Sequence, residues 1–301
     1  MPHHYALHGL GLSSPFALAG LEPERAAELP QLTLEVLGSA ELSRRWSGHG
    51  RASVWRGRLR DGSELVVRRG REGTALFEHD AARFLLIDGG ETLLCAAEGD
   101  SWHGLLLEKV LPKVALMRGH EGLHAAAVES AAGVVAIVGE SGAGKSTIAA
   151  ELARRGCEAF ADDVLIVGRR AGGVLAYPDR RRAGETVGLV CLLSRATGLV
   201  LEAEQLRANP LVLAPYMLGF TGDGERQRAR FELYSDLLGR ARTVMLTADA
   251  ADPPGDLAEL IEVEIEGIAR GRRSGALGRG VRGRGVSTRP SSGRLLTGAG
   301  S

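Results

Sequence analysis

The sequence predicts an α/β protein in which a domain built around a buried strand, a glycine-rich loop and a helix follows a small antiparallel β-rich domain. Three observations predict it. Residues 31–98 fall into short runs of alternating apolar and polar residues, joined by the turn dipeptides Asp61-Gly62 and Gly89-Gly90. From residue 123 onward, nearly continuous apolar strands alternate with helical patterns, which is the signature of a sheet covered on both faces. Between the first such strand and its helix lies Glu-Ser-Gly-Ala-Gly-Lys-Ser-Thr, residues 140–147.

Composition narrows the classes. The 301 residues are 44% hydrophobic, which is enough to bury a core and excludes wholesale disorder. No apolar run reaches the ~18 residues of a membrane span, and the N-terminus lacks the basic start and apolar stretch of an export signal. A cytoplasmic protein without membrane partners is expected. Cys95, Cys157 and Cys191 are widely spaced and odd in number, so buried thiols are expected rather than a disulfide framework or zinc site.

The formal net charge of zero conceals a division. Residues 267–301 carry eight arginines and no acid, and the other 266 residues carry 29 basic and 37 acidic groups. Glycine-rich and poor in large apolar side chains, 267–301 is expected to be a disordered tail. A dispensable extension is the expectation and no nucleic-acid partner is expected; the basic charge of this tail is the sole feature that could meet nucleic acid, or the acidic body of the chain.

Along the chain, residues 1–102 form the expected β-rich domain, with strands at 32–38, 52–59, 63–69, 82–88 and 91–97. His3, His4 and His8 precede it and are expected to be surface histidines at a mobile terminus. Residues 103–121 read as a connecting helix, ended or kinked by Pro112. The second domain, 122–266, begins with strands at 123–130 and 134–139 and a helix after the loop. It continues with a strand at 157–163, a hairpin through 165–177, strands at 187–193 and 243–249, helices around 203–219 and 225–240, and a closing helix at 256–267.

Gly139, Glu140, Ser141, Gly142, Ala143, Gly144, Lys145, Ser146 and Thr147 fit G-x-x-x-x-G-K-[ST] throughout, after a buried strand and before a helix. Glycines let backbone N–H groups converge on phosphate oxygens where a β-carbon would obstruct them. The helix adds unpaired N–H groups and the positive end of its dipole. Lys145 supplies a cation for the β- and γ-phosphates, and the Ser146 hydroxyl is a ligand for Mg²⁺. The motif predicts binding of a nucleoside triphosphate. Asp162 and Asp163 follow 17 and 18 residues after Lys145, at the carboxyl end of the next strand, where open α/β sheets place ligands. Two carboxylates there meet both needs of phosphoryl transfer to an alcohol, a metal-side ligand and a proton acceptor. His124, on the strand before the loop strand, comes near the phosphate end if the two strands form a hairpin.

Leu123-His124-Ala-Ala-Ala-Val128, then VVAIVGESGAGKSTIAAELARRG and FADDVLIV, resemble the catalytic domain of HPr kinase/phosphorylase, and more closely the HPr-kinase-like proteins that accompany ribosomally made peptides, lasso-peptide kinases among them. The likeness is specific over about 123–167 and loose through 242–266. It implies a phosphoenolpyruvate-carboxykinase-like P-loop domain that phosphorylates a serine hydroxyl. It also implies that Asp162 is the catalytic base, that Asp163 with Ser146 holds the metal, and that His124 belongs to the active site. Downstream the chain departs from the family: Glu185 sits near a glycine but nothing else reproduces the signature glutamate motif, and no matching arginine follows the strand at 243–249. Arg180, Arg181 and Arg182 are the candidates for transition-state charge, with a solvated basic turn as the alternative.

The expected function is an ATP- and Mg²⁺-dependent kinase acting on a serine or threonine of a peptide or protein. A non-catalytic nucleotide-sensing module and a kinase of a small metabolite are the alternatives, and self-association is left open.

Overall fold

The computed structural model describes residues 1–24, 26–47, 53–59, 61–97, 99, 102–179, 184–219 and 224–280, of which 273–280 are described by backbone alone. Arg180, Arg181 and Arg182 lie outside the described residues, as do residues 281–301 of the expected tail.

The chain opens with a hairpin, β1 (His3–Leu7) and β2 (Leu10–Ser14), turned at His8-Gly9. The expected mobile terminus is therefore an ordered strand pair, and His8 is buried, because Tyr5, Leu7, Leu10 and Leu12 supply an apolar face that joins the core. There follow β3 (Gln31–Val36), α1 (Ser39–Trp46), β4 (Ser53–Arg58), β5 (Glu64–Arg69), β6 (Ala75–His79), β7 (Ala82–Ile87) and β8 (Thr92–Ala97). They form one eight-stranded sheet in the order β1-β2-β3-β8-β7-β6-β5-β4. The β4–β5 and β7–β8 turns are the two predicted ones. The sheet is mixed rather than antiparallel, since β3 runs parallel to both β2 and β8. Placing β3 between the N-terminal hairpin and the last strand requires crossovers, which a chain of simple hairpins does not contain. α1 lays Leu42 on one face of this sheet, against Leu76, Leu85 and Leu94.

Against the other face lies the connecting segment, α2 (Trp102–Leu105), a π turn at Leu106–Val110 and α3 (Leu111–Met117). Pro112 has no N–H to offer the carbonyl four residues back. The turn before it widens, with the Leu111 N–H donating to the Leu106 carbonyl. Trp102, Leu106, Val110 and Val114 share one core with Phe77, Phe84 and Leu93 of the sheet, and with Ile166 and Tyr177 of the second half.

The second half contains β9 (Glu121–Leu123), β10 (Ala125–Ser130), β11 (Gly133–Gly139), α4 (Lys145–Arg154), β12 (Glu158–Ala161), β13 (Leu165–Arg170), β14 (Gly173–Tyr177), β15 (Glu185–Arg195), β16 (Glu202–Gln205), β17 (Met217–Leu218), α5 (Gly224–Arg240), β18 (Arg242–Ala248) and α6 (Pro254–Gly280). Its sheet runs β12-β10-β11-β15-β14-β13-β9-β17, and β18 adds to β15 and β16 to β18. β11, β15 and β18 are parallel and carry continuous apolar runs, as strands covered on both faces must. α4 and α6 cover one face and α5 the other.

Two expectations are corrected here. The segment 203–219 is not helical: β16 pairs with β18, and Pro210–Tyr216 is a 3₁₀ stretch, because Pro210 and Pro215 deny an α-helix its ladder. The closing helix does not end at 267 but continues to Gly280, so the expected tail overlaps it by 14 residues, 267 to 280. Ile268 extends the apolar stripe of Leu257, Ile261 and Ile265 onto the sheet core, and the arginines that follow are good helix formers.

Candidate functional site

The site gathers where β11, β12 and the break between β9 and β10 end on one edge. β10 pairs antiparallel with both β11 and β12, so β11 and β12 point the same way and deliver Gly139 and Asp162 to the same edge. Residues 139–147 then form the turn from β11 into α4. Gly142 and Gly144 have φ of 83° and 96°, a region that favours glycine, and no atom lies within 4 Å of where a Gly142 β-carbon would be. The loop backbone is therefore an open concavity at the N-terminus of α4, the geometry that gathers anions.

Lys145 is buried, and its Nζ donates to the carbonyls of Gly139 (3.0 Å) and Glu140 (2.9 Å) and to His124 Nε2 (3.0 Å). Burial lowers the affinity of this lysine for its proton, and the carboxylates of Asp163 and then Asp162 act in the opposite direction. With Nε2 accepting from Lys145, His124 carries its hydrogen on Nδ1, which donates to the Asp163 carbonyl at 3.0 Å. His124 lies between β9 and β10 rather than on a strand, and its own N–H is bound to the Tyr216 carbonyl. The hairpin that was expected to bring it to the loop is present.

The two carboxylates of the acidic pair have different partners. Ser146 Oγ donates to Asp162 Oδ1 at 2.6 Å. Asp163 Oδ2 instead accepts from Lys109 at 3.2 Å, and its Oδ1 lies 3.4 Å from His124 Nδ1. Asp163 has φ of 69°, and its carboxylate still acts on Lys145, ahead of that of Asp162. Aspartate is among the few residues that tolerate that region, and such strain collects at functional sites. Pairing of Ser146 with Asp163 is thus not the arrangement in this structure. A serine hydroxyl with one carboxylate is a donor set that suits Mg²⁺, which keeps its remaining positions for water and phosphate. Among the described residues no group of three or more His, Cys, Asp or Glu is placed to hold a metal, and Mg²⁺ carried by a nucleotide needs none.

Sequence reasoning missed Lys109 and Arg195. Lys109 sits on the π turn ahead of Pro112, 54 residues from its partner, and no local pattern marks it. One signal existed: the chain has only three lysines, and two of them fall on this segment, where Lys113 donates to the Lys109 carbonyl and stacks 4.1 Å from the Trp55 ring centroid. Burial and the neighbouring Lys109 push Lys113 down to about 8, while Asp163 raises it. Arg195 ends β15 and is held by the carbonyls of Asp249, Ala250 and Asp252. Its remaining nitrogen lies 3.3 Å from where a Gly144 β-carbon would stand. Glu185, by contrast, begins β15, whose register pairs Leu193 with Gly139, so it lies at the end of the sheet away from the loop.

Two cavities flank this cluster. One, of about 720 Å³, is lined by Glu140–Ala143, Arg195, Val212, Tyr216 and Met245. The other, of about 850 Å³, lies between Asp162, Asp163, the connecting segment and the first sheet. Among the described residues no helix is long and apolar enough to cross a membrane.

No family model matches the chain, and no curated protein matches it. Among solved structures it is similar to the HPr(Ser) kinase/phosphatase from Coxiella burnetii, with 13% identity over 54% of this chain and 99% of that one and a TM-score of 0.31. That is a distant structural relationship, and it assigns no residue and no activity.

Proposed function

We propose that this protein is an ATP-dependent kinase that transfers the γ-phosphoryl group to a serine or threonine hydroxyl of a peptide or protein. The observation that carries the reading is the placement of Lys145, Ser146, Asp162 and Asp163 between two cavities, one floored by the loop and one by the acidic pair. ATP lies along 139–147, with the backbone N–H groups of Gly142 to Ser146 on its phosphates and Lys145 exchanging its carbonyl partners for phosphate oxygens. Its base occupies the side of Val212, Tyr216 and Met245.

Ser146 and Asp162 would hold Mg²⁺, which would supply neutralisation of phosphate charge. Asp163 faces the other cavity and accepts the acceptor hydroxyl's proton as the oxygen bonds to γ-phosphorus and the bond to the β-phosphate oxygen breaks. The base and metal roles are thereby exchanged relative to those the family resemblance implies. Lys109 and His124 fix the Asp163 carboxylate, and Arg195 stands where charge develops on the transferring group.

A nucleotide-sensing module is the second reading. The Lys109–Asp163 ion pair favours it, since an ammonium competes with an acceptor hydroxyl for the same carboxylate. Incubation with radiolabelled ATP and a library of hydroxyl-bearing peptides separates the two. Labelled peptide supports the kinase, and tight MgATP binding with no label in any peptide supports the sensor.

A further inference from the structure

The second cavity has a character that the phosphotransfer reading does not require. Its wall at the reaction side is Asp162 and Asp163, and the connecting segment contributes Lys109 and the exposed Glu108. The first sheet closes the far side with Asp61 and His79, and Asp179 stands beyond β14. Among the described residues five carboxylates thus line the cavity with one lysine, which is itself paired with Asp163. Inside, His8 is 3% exposed and lines the same cavity. Its Nε2 bonds the Leu107 carbonyl at 3.0 Å, which puts the ring hydrogen there and leaves Nδ1 a buried acceptor with no partner among the described residues. Burial holds His8 neutral, its pKa pushed down to about 4, so that nitrogen stays an acceptor at neutral pH. A buried acceptor of this kind is completed by an N–H donor, and carboxylates around it select a donor that carries positive charge.

We propose that this cavity binds the acceptor, and that the acceptor is a peptide segment whose hydroxyl is flanked by arginine or lysine, with the first sheet forming its outer wall. As an acceptor site the proposal rests on the kinase reading. As a binding site for a basic peptide it stands without it. Guanidinium groups meet the carboxylates of Glu108 and Asp61, while the hydroxyl reaches Asp163. Such a segment has two sources, a separate peptide or this chain, which interleaves Arg282, Arg284, Arg289 and Arg294 with Ser287, Thr288, Ser291 and Ser292.

The test is fluorescence anisotropy on the full chain with three labelled probes. These are a peptide of residues 281–294, an unrelated serine peptide with arginines on both sides, and the same peptide with glutamates in their place. Saturable binding of the basic probes, weakened by salt, with none of the acidic one, is the expected result. Charge reversal at Glu108→Arg should weaken that binding by about tenfold or more, as should Asp61→Arg on the opposite wall, which stands in should the first variant fail to fold. Binding of the 281–294 peptide alone assigns the site to the chain's own segment, and binding of both basic peptides assigns it to the general class. Equal binding of acidic and basic probes, no binding of either, or indifference to both reversals overturns the inference. MgATP affinity and phosphate transfer on the same samples keep the two claims apart. Peptide binding without nucleotide binding sinks the kinase reading alone, and transfer that ignores flanking charge sinks this inference alone.

Discussion

The two cavities beside Lys145 are built in opposite ways. The loop side is made by one contiguous stretch, 139–147, whose backbone provides the binding groups, completed by β15 and the 3₁₀ stretch before β17. The acidic side is made by side chains drawn from the β1–β2 turn, the β4–β5 turn, the π turn and the end of β12. A backbone cradle survives the exchange of most side chains, provided glycines stand at its positive-φ positions. A side-chain wall depends on each contributor and on the packing that aims it. On the proposed reading, nucleotide binding is therefore the property expected to withstand substitution, and acceptor handling the one that substitutions should tune or remove.

The largest effect should come from Lys145, which lies between the two sides. Lys145→Ala removes a buried cation that touches two loop carbonyls and His124. Each charge-assisted contact to phosphate is worth about 1.5–3 kcal/mol. MgATP affinity should fall by about 100-fold and transfer should vanish, as read by calorimetry and single-turnover labelling on a variant with native circular dichroism. Undiminished affinity would show that the loop side does not work as a phosphate cradle.

Next in size is the division within the acidic pair. Asp163→Asn removes the proton acceptor and should slow transfer by about 10²–10⁴ while MgATP binding stays near parental. Asp162→Asn should instead raise the Mg²⁺ concentration needed for half-maximal rate, by about tenfold, because an amide is a poorer ligand for a hard cation. Should Asp162→Asn lose transfer while keeping its metal requirement, the roles revert to those of the resemblance.

How far each side was legible follows from the same contrast. The loop and the acidic pair could be read because they are short in sequence and their chemistry constrains residue types. His124 could be read because hairpin neighbours are close in both sequence and space. The turn dipeptides Asp61-Gly62 and Gly89-Gly90 placed two hairpins for the same reason. Lys109, Arg195 and His8 were not legible, since nothing within a few residues of them distinguishes a site residue from a surface or core one. Their roles arise from packing between segments as far apart as residues 8 and 107. β1 and β2 were missed because short strands carry little periodicity, and 203–219 was misread because apolar spacing outweighed two prolines.

Acid should separate the two sides by stability. His8 is held neutral at about 4 against an ordinary 6.5. Between those values the unfolded chain binds a proton that the native state does not. The native state therefore loses stability as pH falls from 6.5 to 4, by about 3 kcal/mol in all, and is unaffected by this group above 6.5. His120, also lowered by burial, adds in the same direction. Glu121, raised by burial despite Arg230 and Arg226, opposes them. Urea midpoints at pH 7 and 4.5 measure the sum. His8→Asn, whose side chain tolerates the φ of 52° at this position, should flatten the slope by the His8 share. An unchanged slope would mean that His8 is not buried in solution.

The smallest effect concerns the base end of the loop-side cavity, where the backbone cradle gives way to side chains. Tyr216 is half-buried there, and its main-chain carbonyl already holds the His124 N–H. Its ring is the one aromatic surface among the described residues lining that cavity. Stacking of a base on an aromatic ring is worth about 1–3 kcal/mol when removed by alanine. Tyr216→Leu keeps apolar volume and should fall at the low end, weakening MgATP about fivefold. Inorganic triphosphate, which has no base, provides the control: its affinity should not change, since the carbonyl that positions His124 belongs to the backbone and survives the substitution. A matching loss for both ligands would mean that the variant has disturbed the loop through His124, and that the two ends of the cavity are coupled rather than separable.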